Sequence, residues 1–349
     1  MKQQLLNLLF VLLSPIAFCQ TVTPIFSEVS NSSGLAIHDN TLYIATSYSG
    51  SVYTIDLLEA EAEPELYISE LGNIASLCFK DDYLYFARRS NNPADNKILR
   101  INTGIEGATV EEVVSITSPN GLTVDDNTLY ISSQKKIFTV DLSQPDFTAV
   151  EIINSLDTTF GSIGVEVINQ ELFVSDQDKL VKYNLAEANP AKVLVVDNLP
   201  NLTGLSKAEN NSFIYATSYG PDAVFRINIT DGQTTNIAST DMATNWDIVF
   251  DDSILYVSNS EGGGVVKIEG VSLAAESFER QLTKVYPVPA ADYLYIQNGN
   301  AVSLTDITGK QFEISMTDSG LDVSALQSGT YILILKVNDI FVPKRFIKK

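Results

Sequence analysis

The segment Pro119-Asn120-Gly121-Leu122-Thr123-Val124-Asp125, with its turn Asp126-Asn127 and the run Thr128-Leu129-Tyr130-Ile131-Ser132, decides the fold because it recurs. A small residue and an apolar stretch, a tight polar turn and an alternating run read as two antiparallel strands. A third follows at Lys136 to Leu142. The Leu-Tyr-Ile element appears as Leu42-Tyr43-Ile44, Leu84-Tyr85-Phe86, Leu129-Tyr130-Ile131, Leu172-Phe173-Val174, Ile214-Tyr215-Ala216 and Leu255-Tyr256-Val257, at spacings of 42, 45, 43, 42 and 41 residues. A near-constant period of this size turns many weak strand signals into one architecture.

A more variable fourth strand per copy, such as Glu65 to Ser69 or Lys192 to Asp197, completes a four-stranded antiparallel unit the size of a propeller blade. The sequence therefore predicts an all-β chain, with a six-bladed β-propeller over residues 20–274. No copy carries a helical period, which excludes leucine-rich and ankyrin solenoids. The sixth copy ends near Ile268 with little room for a fourth strand, whereas Pro24 to Val29 is an orphan strand ahead of the first copy. That N-terminal strand is expected to complete the last blade and so remove two exposed edges.

The leader and the tail carry an address. Lys2 precedes an apolar run from Leu5 to Phe18, and Ala17 and Cys19 fit the small-residue positions before a cleavage ahead of Gln20. Residues 1–19 read as a secretory signal peptide; lipidation of Cys19 is the rival, with bulky Phe18 against it. Cys78 then remains alone in the apolar stretch Ile74 to Phe79, so no intramolecular disulfide is expected and the thiol reads as a small core residue. Residues 280–349 hold 8 Lys or Arg and 6 Asp or Glu, whereas 20–279 hold 13 and 37, which places a linker at 275–284. Beyond it, short alternating runs between Gly, Pro and Asp turns predict a small immunoglobulin-like β-sandwich over 285–349.

Val285-Tyr286-Pro287-Val288-Pro289, Leu304-Thr305-Asp306-Ile307-Thr308-Gly309-Lys310, Leu321 to Tyr331 and the terminal Lys344-Arg345-Phe346-Ile347-Lys348-Lys349 resemble the type A C-terminal sorting domain of type IX secretion cargo, known from Bacteroidetes-type bacteria. Val288 departs from the Asn usual between the two prolines. The resemblance implies passage through the periplasm and outer membrane, with the type IX machinery as partner through residues 285–349. The repeats, Pro119 to Asp125 above all, resemble the six-bladed gluconolactonase and senescence marker proteins and NHL-type repeats. In that family a Glu of the first blade, Asn residues and a late Asp hold a divalent metal. Asn120 matches one Asn, Ser32-Ser33-Gly34 lacks the Glu, and Asn245-Trp246-Asp247 offers no clear late acid. A hard cation needs about six oxygens with compensating charge, so no cofactor is expected; a divalent metal on Asn120 belongs to an alternative reading as a metal-dependent lactonase.

Composition narrows the function further. The formal net charge of −21 argues against nucleic acid or an anionic membrane. A single histidine, His38, excludes a three-histidine metal site, and its place beside the turn Asp39-Asn40 reads as solvent-exposed. No catalytic residue is assigned. The loops between blades and those joining second to third strands share one face, where binding chemistry concentrates on a rigid scaffold. They carry Asn73, Asn120, Asn245 and Trp246, and Tyr48, Arg88, Arg89, Asp176, Tyr219 and Asn259. Trp246 offers a stacking platform and Arg88-Arg89 a clamp for a carboxylate. The expectation is a monomeric exported propeller that binds an extracellular ligand or protein, with no transmembrane segment after leader removal.

Overall fold

The computed structural model describes residues 20–26, 31–59, 62–158, 164–220, 223–240, 244–260, 264–271, 284–297, 299–307, 309–317, 320–337 and 340–349; the leader 1–19 and linker residues 275–283 lie outside them. The described residues form two compact units that meet in sequence after Val271. Apart from one 3-10 turn at Pro93–Asp95, every described regular element is a β-strand.

The first unit consists of six four-stranded antiparallel sheets. Their innermost strands are Ser32–His38, Asn73–Lys80, Pro119–Asp125, Val165–Ile168, Leu202–Lys207 and Asn245–Asp251. In every sheet but the fifth, where residues 208–212 intervene, this strand turns into the second through a two-residue polar link, with both residues at positive φ in Asp39-Asn40, Asn169-Gln170 and Asp252-Ser253. Such turns match the right-handed twist of hairpin strands, and Asp and Asn tolerate them.

The second strands explain why the repeat is so apolar. Both faces are buried, so the run reads as nearly continuous hydrophobics. Tyr43 packs with Leu84 and Phe86 of the second sheet. Tyr85 packs with Leu129 and Ile131 of the third, and Tyr130 with Leu172 and Val174 of the fourth. Phe173 continues to Ile214 and Ala216, and Tyr215 to Leu255 and Val257. Tyr256 then returns to Leu42 and Ile44 of the first sheet. The aromatic of each copy thus covers the apolar pair of the next, and every one of those positions has zero exposure.

Close approach of the sheets requires glycine at the start of the inner strands. A Cβ on Gly34 would lie 2.6 Å from the Ser76 and Leu77 backbone, and one on Gly204 2.7 Å from the Asp247 Cα. The pairing register shifts at these positions, as between Ser32 and Leu35 or Leu202 and Leu205. The irregularity leaves an amide out of the ladder. A hydroxyl of the second strand accepts it: Gly121 N to Ser132 Oγ at 2.8 Å, Gly164 N to Ser175 Oγ at 2.7 Å, Gly204 N to Thr217 Oγ1 at 3.0 Å and Asp247 N to Ser258 Oγ at 3.0 Å.

The sixth sheet takes its outermost strand from the chain's start. Thr21–Phe26 pairs antiparallel with Val265–Glu269, a few residues earlier than the expected 24–29, of which 27–29 lie outside the described residues. Phe26 is 4% exposed and sits among Leu35 and Ile44 of the first sheet and Tyr256 and Val265 of the sixth. His38 differs from expectation: its ring stacks on Phe79 at 4.5 Å, and its side chain is 24% exposed. An imidazole is flat enough to extend the apolar cluster beneath the turn.

The second unit has two four-stranded antiparallel sheets. One contains Lys284–Tyr286, Tyr293–Gln297, Gly320–Asp322 and Met316–Thr317; the other contains Gln311–Phe312, Asn300–Asp306, Gly329–Val337 and Ile340–Lys348. Leu294 and Leu321 of the first share a core with Leu304, Leu333, Leu335 and Phe346 of the second.

Because Phe26 joins the first sheet to the sixth, Phe26→Ala is expected to cost about 3–5 kcal/mol, the usual loss for a buried phenylalanine. Urea unfolding measures it, and a loss below about 1 kcal/mol would show that the N-terminal strand is dispensable.

Candidate functional site

A cavity of about 770 Å³ opens at the end of the first unit where the inner strands begin. Of the residues singled out in the sequence, Tyr48, Asn73, Arg88, Arg89, Tyr219 and Trp246 line it. The alternation of the second strands decides which residues reach it. These strands end at Thr46, Arg89, Ser133, Asp176, Ser218 and Asn259. Aligned on the Leu-Tyr element, Thr46, Arg88, Ser133, Asp176, Ser218 and Asn259 are equivalent, and all but Arg88 are buried. The next residue points the other way. Ser47, Arg89, Tyr219 and Ser260 therefore face the cavity.

The walls are braced. Arg88 Nε donates to the Asp95 carbonyl at 2.8 Å, and Asn96, 2% exposed, accepts the Ser90 amide at 2.8 Å and donates to the Ser90 carbonyl at 3.1 Å. Arg88 thus holds its own loop. Arg89 lies opposite Asn73 in the ladder, which places both at the rim of one sheet. Tyr48 is 77% exposed and Tyr219 38%. Trp246 reaches inward from the sixth sheet, and its Nε1 donates to the Ala75 carbonyl of the second at 3.0 Å.

Four sequence candidates stand elsewhere. Asp176 has zero exposure: its Oδ1 accepts the amides of Asp157 and Thr158, each at 2.8 Å, and its Oδ2 accepts Lys192 Nζ at 2.9 Å. Asn245 accepts from Thr240 Oγ1 at 2.9 Å, and Asn259 from Thr244 Oγ1 at 3.1 Å, both side chains being fully buried. These three organise loops. Asn120 is 2% exposed, and its Oδ1 makes no hydrogen bond among the described residues. Its equivalents around the channel are Ser33, Ala75, Thr203 and Trp246. The Ser33 hydroxyl is spent on the Ile74 carbonyl at 2.6 Å and that of Thr203 on the Asn245 carbonyl at 3.1 Å. One neutral amide oxygen with engaged hydroxyls and no carboxylate beside it does not fit a divalent cation.

Further along the channel lies a second void of about 230 Å³, lined by Cys78, Glu166 and Asp247 among others. Sequence reading passed over both carboxylates. Asp247 stands where four copies have Gly34, Gly121, Gly164 and Gly204, so aligning the copies position by position would have exposed it. Its Oδ2 accepts Leu35 N at 2.9 Å and its Oδ1 accepts Ile248 N at 2.9 Å. Burial, with a smaller push from Glu166, raises Asp247 to about 7 against those two hydrogen bonds. Glu166 Oε1 accepts from Thr123 Oγ1 and from Lys207 Nζ, each at 3.3 Å. Burial and both carboxylates push the Cys78 thiol up, which suits a protected core residue and not a nucleophile.

Comparison with solved structures defines the class of the first unit. The luciferin-regenerating enzyme superposes with a TM-score of 0.57 at 9% identity, over 73% of this chain and 96% of that one. A gluconolactonase from Xanthomonas campestris gives 0.57 at 13% identity over 71% and 89%. The PQQ-bound aldose sugar dehydrogenase from Streptomyces coelicolor gives 0.53 at 12% over 72% and 98%. At such identities the likeness is one of fold: all-β and propeller-like. Residues 284–349 match the secretion system C-terminal sorting domain. That domain indicates export to the cell surface or extracellular space. No helix among the described residues is long and apolar enough to cross a membrane. No curated protein matches the sequence.

The raised carboxyl of Asp247 makes stability depend on pH. The folded state holds this proton more tightly than the unfolded one, so the contribution is full below about pH 4 and is lost as pH rises towards 7. Between pH 5 and 8 the wild type is expected to lose on the order of 2–3 kcal/mol relative to Asp247→Asn. Parallel urea titrations measure the difference, and equal pH slopes for the two proteins would refute it.

Proposed function

We propose that the chain is an exported six-bladed β-propeller, spanning residues 20–274, that holds a small extracellular ligand in the 770 Å³ cavity. Residues 285–349 form an immunoglobulin-like sorting domain read by the type IX machinery. The carrying observation is convergence: Tyr48, Asn73, Arg88, Arg89, Tyr219 and Trp246 come from four different sheets and their loops, yet line one concavity. Its size falls in the range of small-molecule sites, and aromatic faces among hydroxyls and amides suit an organic ligand. The six aromatic-on-apolar clusters, each joining neighbouring sheets, support the bladed ring.

The metal-dependent lactonase reading has less support. It rests on Asn120, whose buried amide oxygen stands without a carboxylate partner. Of the acids, Asp247 and Glu166 face the other void, and Glu70 and Asp95 at this cavity are exposed. Calorimetric titration with Ca²⁺ or Zn²⁺ is expected to give no stoichiometric binding.

Trp246 is the sole tryptophan, so its fluorescence reports on this cavity alone. Screening small sugars, organic acids and short peptides is expected to reveal a ligand that changes Trp246 emission, and Tyr48→Ala or Tyr219→Ala should weaken it by about 1–2 kcal/mol. A ligand whose affinity ignores both tyrosines would place binding elsewhere.

Truncation after Glu279 is expected to leave a folded first unit held in the periplasm. Its normal appearance outside the cell would refute delivery by the C-terminal domain.

A further inference from the structure

One side chain in the cavity has no structural task. At the position five residues beyond the Leu of the repeat, the copies carry Ser47, Gln134, Gln177, Tyr219 and Ser260, all neutral, and only the second copy carries a cation, Arg89; of these, Ser47, Arg89, Tyr219 and Ser260 line the cavity. Arg89 is half-buried, and burial alone shifts its guanidinium, downward from the ordinary arginine value. Among the described residues it makes no ion pair or side-chain hydrogen bond. The acids beside the cavity, Glu70 and Asp95, are exposed and do not pair with it. In a chain of net charge −21, with 43 carboxylates against 22 basic side chains, leaving one guanidinium desolvated and unpaired is costly unless a ligand completes it. Arg88, its neighbour, shows the contrast: its Nε is committed to the Asp95 carbonyl.

We infer that the cavity takes a carboxylate-bearing saccharide, its carboxylate paired with the Arg89 guanidinium and a sugar face laid on Trp246 or the tyrosines. The guanidinium fork matches a carboxylate through two parallel hydrogen bonds. Tyr48 and Tyr219 expose rings at the mouth, and Trp246 is anchored by its Nε1 bond to Ala75 with its ring left as a platform. The Asn73 amide and the hydroxyls of Ser47, Ser90 and Ser260, which bond Asn31, Asn92 and Thr244 and keep capacity for one further hydrogen bond each, supply the short polar contacts that a polyhydroxylated body needs. An apolar acid would use none of this remaining hydrogen-bonding capacity. This assignment rests on the proposed binding role and adds to it the chemistry of the ligand.

The test follows Trp246 emission of the full chain during titration with trigalacturonate and with its methyl ester, which keeps the shape and removes the charge. The wild type should bind the acid at least about tenfold more tightly than the ester. Arg89→Gln should erase that preference by weakening the acid alone, and Arg89→Lys should keep part of it, since a lysine retains the charge and loses the fork. An unchanged unfolding midpoint in both variants shows that the fold is intact. Equal binding of acid and ester, or an acid preference that survives in Arg89→Gln, overturns the carboxylate assignment and leaves the binding role standing. No response to either compound at millimolar concentration also overturns it, and the wider screen then decides the binding role independently.

Discussion

Six inner strands each turn one unpaired edge toward a common channel, and finding partners for those backbone groups is the constraint on which the first unit depends. At five of the six junctions a side chain of one inner strand meets a backbone group of the next, and at the remaining one the Thr123 hydroxyl donates to the Glu166 carboxylate. Ser33 Oγ meets the Ile74 carbonyl, Ser76 Oγ accepts Leu122 N, and Thr123 meets Glu166. Glu166 accepts Lys207 N, Ser206 Oγ accepts Phe250 N, and Asp247 accepts Leu35 N. Polar residues on these strands, which look misplaced beside the apolar runs of the second strands, are the means by which edges that cannot pair with strands stay satisfied. Glycine at the strand starts is the steric half of the same solution, because it lets the edges come within reach.

The architecture was legible because the second strand of each copy is buried on both faces. Leu42, Tyr43 and Ile44 and their equivalents cannot vary much without opening a gap, so the period survives in plain sequence. The turns were legible too, since Asp39-Asn40 and Asp252-Ser253 adopt a conformation few residues accept. The site was half legible. Loop membership pointed to Tyr48, Tyr219, Arg88 and Arg89, but it could not separate Asp176 and Asn259 from their successors. Strand alternation sends those two into the protein, whereas Ser260, the residue after Asn259, lines the cavity. Asp247 and Glu166 escaped notice for the opposite reason: they lie on strands and not in loops, and only their departure from the repeat marks them.

Departures from the repeat are therefore more informative than the repeat itself. Positions that every copy fills alike serve the packing of sheets. Positions where one copy differs are free of that duty, and in this chain they gather at the channel: Trp246 in place of a small residue, Asp247 in place of glycine, Arg89 in place of a neutral side chain. The second unit lacks such a period, and its reading rested on turn residues and on the change of charge near residue 280. Its two sheets close over one small core, in keeping with a module that folds around its own leucines.

The bond from Trp246 to the Ala75 carbonyl crosses from the sixth sheet to the second. Both residues line the larger cavity, and neither lines the void that holds Asp247. The bond ties the sixth sheet to the second beside the larger cavity. Moving the indole out of the cavity wall would mean breaking its bond to Ala75, so the ring edges the space from one fixed place. Arg89 edges this cavity while Glu166 and Asp247 line the other void, so among the described residues a strongly acidic chain keeps its one cavity-lining guanidinium without a bonded partner apart from its buried acids.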